Sequence, residues 1–163
     1  MSRTERRISD RKRIDDIIRR CKVCRMGLLV DGDPYVVPLC FGYDGNSVYF
    51  HMSRKGKKMA GLTMNRNVCL EWDLPGDVIE SSEPCGWSMS FESVIAYGPV
   101  VFLQSDYAKR DGLNFIMQQY ADNNAKWSFP IEKLEKTVVL KVQLDEISGM
   151  AKPGLLSPRP DIL

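Results

Sequence analysis

Histidine is nearly missing from this 163-residue sequence, with His51 the one example. A Ser-His-Asp triad could therefore be built only around His51, and no residue supplies its nucleophile. The glycine-bearing signatures G-x-S-x-G, G-x-x-x-x-G-K-[ST] and G-x-G-x-x-G are all absent, which removes a hydrolase elbow, a P-loop and a Rossmann turn. No apolar stretch approaches the roughly 18 to 20 residues that span a bilayer. No apolar run of signal-peptide length precedes the first charged segment. A soluble protein without membrane partners is expected. Five cysteines is an odd number, which argues against a secreted disulfide scaffold and for reduced thiols in a cytoplasm. A net charge of +2 is too small to imply a nucleic-acid partner. The basic N-terminal stretch also carries no interleaved aromatic to stack on bases.

What is present suffices for one core of ordinary size, since 44% of residues are hydrophobic and 27% charged. One domain over residues 1–152 is expected. It would be followed by an extended arm, 153–163, whose three prolines and glycine discourage regular structure. The Ser9-Asp10 pair can cap a helix whose residues Ile14, Ile17, Ile18 and Cys21 recur at three- and four-residue spacing. Its basic outer face reads as solvated surface.

After Cys24 the pattern changes to β-rich runs. RMGLLV, YVVPLCFGY and SVYFHM are separated by DGDP and DGN, and Asp-Gly tolerates the positive φ of hairpin turns. Pro38 cannot donate within a sheet ladder, so it marks an edge, a bulge or a ligand's approach. Residues 56–65 read as a short helix with Met59, Leu62 and Met64 on one face. NVCLEWD resumes as a strand, and Pro75, Gly76, Pro84 and Gly86 bracket a surface loop. A long strand over 87–103 bends at Gly98-Pro99. A helix over 107–123 is capped by Ser105-Asp106, and KTVVLKVQLDEISGMA closes the sheet. Six strands joined mostly by short turns give a mainly β fold, an antiparallel barrel with added helices.

Two clusters invite a chemical reading. Cys21 and Cys24 have C-x-x-C spacing, but no second pair completes a zinc site and they follow a helix rather than precede one. Buried thiols at a helix end are expected, and no metal. The stretch VYFHMSRKGKK, 48–58, gathers Arg54, Lys55, Lys57 and Lys58 around Gly56. It is either a solvated turn or a cradle for phosphate, since a helix start offers free N–H groups and lysines add point charge.

The order YVVPLCFGY, VYFHMSRKGKK, NVCLEWD, WSMSFESVIAYGPV and FPIEKLEKTVVLKVQLDEISGMAKP resembles the flavin-binding split β-barrel proteins of the pyridoxamine 5'-phosphate oxidase superfamily. Within it, the chain is most similar to the nitroimidazole-resistance (Nim-type) branch, over residues 23–152. The resemblance implies a six-stranded antiparallel Greek-key split barrel of FMN-binding type. It also implies a homodimer with the cofactor in two symmetric grooves at its interface. Val37, Pro38, Leu39 and Cys40 would then lie along the isoalloxazine ring. Phe50, His51 and Lys57 or Lys58 would reach the ribityl chain and phosphate. Trp87, Ser88 and Ser93 would complete the groove from the other subunit. Pro38, lacking an N–H, can face a flat ring without leaving a donor unpaired.

The chain departs from the pattern twice. It ends GLLSPRPDIL, without the Trp-Arg motif of true pyridoxamine phosphate oxidases, and it carries Glu92 where relatives often have a basic residue. The expected function is an FMN-dependent oxidoreductase acting on a small, flat, electron-poor substrate such as a nitroaromatic, with His51 as proton donor or polar contact. The alternatives are FAD in place of FMN, and a flavin- or haem-binding storage or sensor protein without turnover. A third reading is an interaction module with an empty groove.

Overall fold

The structure is a computed structural model and describes residues 6–121 and 127–154. After a two-residue strand, β1 (Arg7–Ile8), helix α1 (Arg11–Arg20) starts where the Asp10 carboxylate accepts the Lys12 N–H at 3.0 Å. It buries Ile14, Ile17 and Ile18. Strands β2 (Cys24–Val30), β3 (Asp33–Leu39), β4 (Gly42–Tyr43) and β5 (Ser47–Met52) follow, then helix α2 (Lys57–Met64). Two long strands, β6 (Asn67–Ile79) and β7 (Ser88–Phe102), precede helix α3 (Asp106–Tyr120) and the one-and-a-half-turn helix α4 (Ile131–Lys136). Strands β8 (Val138–Gln143) and β9 (Glu146–Lys152) end the described chain.

All pairings are antiparallel, in the order β3-β2-β6-β7-β8-β5-β4, with β9 beside β7 and β1. The sheet does not close, because β3 and β4 end the path, so the mainly β fold expected from sequence is an open, split barrel with added helices. Among the described residues the expected six strands appear as nine. YVVPLCFGY breaks between Leu39 and Gly42, the last run breaks at Leu144-Asp145, and β1 pairs with β9.

Other boundaries also move. Strand β6 runs on to Ile79 through a register shift between Pro75 and Val78, so half of the expected loop is sheet. Helix α3 stops at Tyr120, and positions 122 and 123 of its expected range lie outside the described residues, as do 155–163 of the arm. Met64 is 85% exposed and leaves the packed face of α2, which Leu62 and Met59 supply. Helix α4 was not expected, because six residues carry too little periodicity to register. Among the described residues no helix is long and apolar enough to cross a membrane.

Alternation sorts the side chains into two faces. Along β2, Cys24, Met26, Leu28 and Val30 are buried while Arg25 and Leu29 are exposed. The inner face encloses one core in which Trp72 and Phe41 meet edge to face at 5.8 Å. The outer face of β3, β2, β6, β7 and β9 is left open, and register aligns Val36, Gly27, Cys69, Tyr97 and Glu146 in one row across it. Gly98 is where β7 leaves β9 and takes β8 as partner; a Cβ there would sit 1.7 Å from the Gln143 carbonyl oxygen, so only glycine fits.

Candidate functional site

Strand β5 carries two of the expected site residues on opposite sides. Val48, Phe50 and Met52 enter the core, whereas Tyr49 stacks on Phe115 of α3 with ring centroids 4.9 Å apart. Phe50 is fully buried, so only its main chain is available at the surface. His51 lines a cavity of about 310 Å³ with Leu113, Ile116 and Met117 of α3, together with Phe129 and Leu134. His51 is itself exposed, and Lys133 and Thr137 line the cavity beside these apolar side chains. Lys57 and Lys58 are not among the residues around it.

At the end of β5 the chain turns through Gly56, whose φ of +113° favours glycine and beside which a Cβ would meet nothing within 4 Å. Helix α2 starts there without a side-chain cap and without an acidic residue in its first turn. The Lys57 ammonium lies 5.3 Å from the centre of the Tyr35 ring on β3. Among the described residues, Arg54, Lys55, Lys57 and Lys58 form no ion pair. The turn thus presents concentrated positive charge and unused backbone donors next to β3.

Among the described residues strand β3 is an edge, hydrogen-bonded to β2 alone. Pro38 stands on its exposed side, opposite Arg25, where a missing N–H costs nothing. Val37 and Leu39 turn the other way and pack against the core, and Cys40 is exposed. The segment therefore presents Pro38 and Cys40 at the surface, with Val37 and Leu39 half-buried beneath.

The β7 residues are elsewhere in the same chain. Trp87 donates its indole N–H to the Ser81 carbonyl at 2.8 Å, near the end of the β6–β7 hairpin, and Ser88 receives a hydrogen bond from Lys152. Ser93 lies on the outer sheet face opposite Asp73 and Met150. Strands β2 and β6 intervene between β3 and β7, and three spacings of about 4.8 Å make a separation of about 14 Å. Within one chain, Pro38 and Ser93 do not meet. Glu92 points away from Ser93 toward α1, where Arg13 donates to it at 3.2 Å and Arg20 also pairs with it. Its charge is thereby turned from the outer face.

That face holds a cavity of about 620 Å³ between Leu29, Val36, Cys69 and Tyr97. Leu29, Val36, Ile95 and Tyr97 are each more than a third exposed, a contiguous apolar surface of the kind that marks an interface. Arg25 crosses it in ion pairs with Glu71 at 2.9 Å and with Asp73.

The C-x-x-C pair is buried. Burial, with the nearby Asp73 and Glu71 charges, pushes the Cys21 thiol up to about 11, and burial holds that of Cys24 well above its ordinary value. Thiols so raised are poor nucleophiles. Among the described residues no group of three or more His, Cys, Asp and Glu side chains is placed to hold a metal ion.

Residues that sequence reasoning passed over include Cys69 and Tyr97 on the open face. Tyr97 is exposed at the centre of an otherwise regular strand, and alternation along β7 was the signal available. Arg66 and Lys109 were also missed. They join Arg54 around a cavity of about 360 Å³, although they are distant from it in sequence.

A family profile described as pyridoxamine 5'-phosphate oxidase matches residues 10–151. Among solved structures, the chain is similar to a candidate 5-nitroimidazole antibiotic resistance protein from Bacteroides thetaiotaomicron VPI-5482. That match is 32% identical, covers 89% of this chain and 86% of the other, and has a TM-score of 0.80. Two further matches share the fold at lower identity. The flavocytochrome Anf3 from Azotobacter vinelandii is 20% identical, with 97% and 76% coverage and a TM-score of 0.83. An FAD and haem binding protein from Mycobacterium smegmatis is 19% identical, with 93% and 76% coverage and a TM-score of 0.84. No curated protein matches the sequence at a significant level.

Proposed function

Because this chain belongs to the pyridoxamine 5'-phosphate oxidase family, we propose that it binds a flavin, FMN in the first instance, and reduces small, flat, electron-poor substrates such as nitroaromatics. The observation that carries this reading is the start of α2. It is an uncapped helix N-terminus behind an unhindered glycine, with Lys57 and Lys58 free of carboxylates, next to an edge strand with exposed backbone. A phosphate-bearing flavin suits these residues, since the lysines and the free N–H groups complement a dianion. Pro38 can approach a flat ring without leaving a donor unpaired.

Bound flavin would supply the electron transfer. The chain's own part is to hold it: Lys57 and Lys58 neutralise the phosphate, and Val37, Pro38, Leu39 and Cys40 form a wall beside the ring. His51 offers a polar, protonatable group at the far end of β5. Pro38 and Ser93 share the outer sheet face of one chain about 14 Å apart without touching, and bringing both against one flavin ring is what a second copy would do. A homodimer joined through the open sheet face would supply Trp87, Ser88 and Ser93 in that way. The exposed Leu29, Val36 and Tyr97 favour such an interface.

The absorption spectrum of the purified protein, followed by FMN titration, tests the reading. A yellow flavin spectrum or quenching of added FMN is expected. A colourless protein that neither quenches FMN nor gains thermal stability from it would overturn the proposal. A second reading, a haem carrier, has in its favour that His51 opens on a mostly apolar cavity, where neutral imidazole is an iron ligand. A Soret band would put it first.

A further inference from the structure

On the other side of α2 from Tyr35 lies the cavity of about 360 Å³ that three cations share. Arg54 comes from the β5–α2 turn, Arg66 from the α2–β6 turn and Lys109 from α3. Lys109 is only 8% exposed, so its charge is held where desolvation is costly. Among the described residues no carboxylate lines the cavity and none of the three cations forms an ion pair, not even with Glu132 or Glu135 of the adjacent α4.

Part of this charge has a structural use. Lys109 donates to the Leu134 carbonyl at 3.1 Å, and Arg54 to the Glu135 carbonyl, so both cap the last turn of α4. That use leaves most donors free, since an ammonium carries three N–H groups and a guanidinium five. Arg66 has no such task. Its guanidinium lies 5.5 Å from the centre of the Phe102 ring and its donors remain open to the cavity. Thr63, Gln104 and Thr137 add neutral hydrogen-bonding groups, while Met59 and Phe102 give the cavity an apolar wall.

We propose that this cavity is a binding site for a phosphate monoester with a small apolar body. Three cations without a counter-ion match a doubly charged head, two guanidiniums match its oxygens in fork geometry, and the apolar wall receives the remainder. The site goes beyond the flavin reading, for Lys57 and Lys58 are not among its lining residues and Lys57 is turned to Tyr35 instead.

The test is calorimetric titration of the FMN-loaded protein with phenyl phosphate, with inorganic phosphate as the comparison. The expected result is one site per chain, phenyl phosphate tighter than inorganic phosphate, and no release of FMN. Arg66→Gln should weaken binding by about tenfold, as loss of one charge-assisted contact does, and leave the FMN content unchanged. Lys109→Met should weaken it further. Should that buried substitution unfold the protein, Arg66→Gln still decides, because Arg66 is exposed and among the described residues its guanidinium forms no ion pair. Absence of binding, an Arg66→Gln affinity equal to that of the unaltered protein, or equal affinity for the two phosphates overturns the proposal. Release of FMN, seen as free-flavin fluorescence, overturns it too, because the cavity would then belong to the flavin site. The titration repeated on flavin-free protein separates this outcome from a failure of the flavin reading.

Discussion

Two basic regions of the molecule carry similar charge and handle it oppositely. In α1 and β2, these arginines meet carboxylates: Arg11 pairs with Asp15, Arg13 and Arg20 with Glu92, and Arg25 with Glu71 and Asp73. Around α2, the cations Arg54, Lys55, Lys57, Lys58, Arg66 and Lys109 form no ion pair among the described residues, and their only acceptors are carbonyls and aromatic faces. Charge density in the sequence does not distinguish the two. Partnering does: the first region uses its charge within α1, between α1 and β7 through Glu92, and between β2 and β6 through Arg25, whereas the second leaves its charge without a carboxylate.

The largest effect that would sharpen this contrast is on flavin affinity. Lys57→Ala combined with Lys58→Ala should weaken FMN binding by about a hundredfold, roughly 3 kcal/mol, in a fluorescence titration. The described side-chain interaction lost is the exposed Lys57–Tyr35 contact, so the melting temperature without flavin should stay within about 2 °C of the unaltered value. Unchanged FMN affinity would dissolve the distinction between the regions.

Thiol reactivity probes the same boundary by another route. Cys21 and Cys24 lie under the paired arginines and are buried, whereas Cys40 and Cys85 are exposed. Ellman's reagent at neutral pH should label Cys40 and Cys85 first, with Cys21 and Cys24 reacting at least about tenfold more slowly until denaturant is added. Fast labelling of Cys21 would show that α1 is not fastened as the ion pairs imply.

A smaller effect is expected at Glu92. Removing this shared acceptor by Glu92→Ala should cost about 1 kcal/mol, the upper end for partly exposed pairs, and lower the melting temperature by about 2–4 °C. Because Glu92 faces α1, FMN affinity should not change. A gain in FMN affinity on its removal would mean that this carboxylate repels the phosphate after all.

Periodicity and turn chemistry revealed much of the fold. The capped α1 and the succession of antiparallel strands follow from local rules, and the structure has both, while at Gly98-Pro99, the expected bend, β7 changes partner from β9 to β8. Local rules could not show that β6 continues past Pro75, because its pairing with β7 resumes only across a bulge. The candidate site was legible where its residues are consecutive, as in the 48–58 stretch. It was hidden where they converge from separate elements. Lys109 reads as an ordinary surface lysine of α3, and only the packing of α4 buries it. Glu92 gave an ambiguous signal until alternation along β7 could be fixed against α1.

The smallest predicted effect compares the two ends of β5. Its far end is the uncompensated basic turn; at its near end one carboxylate, Asp44, is amply satisfied. Burial works against the charge on Asp44, yet the N–H groups of Asn46 and Ser47 at 2.8 and 2.7 Å and the Tyr49 hydroxyl at 2.8 Å outweigh it and hold the pKa below its usual value. A carboxylate lowered in the folded state stabilises the fold fully above its unfolded pKa and loses that contribution as pH falls through the folded value. Melting temperature should therefore decline as pH drops from about 5 to about 3, near the ordinary Asp range. Asn at this position keeps a carbonyl acceptor and does not titrate, so Asp44→Asn should flatten the decline while leaving FMN affinity at pH 7 unchanged. An equally steep decline in Asp44→Asn would assign the acid sensitivity to the paired carboxylates around α1, and the contrast between charge fixed by partners and charge left open would then have to be drawn without β5.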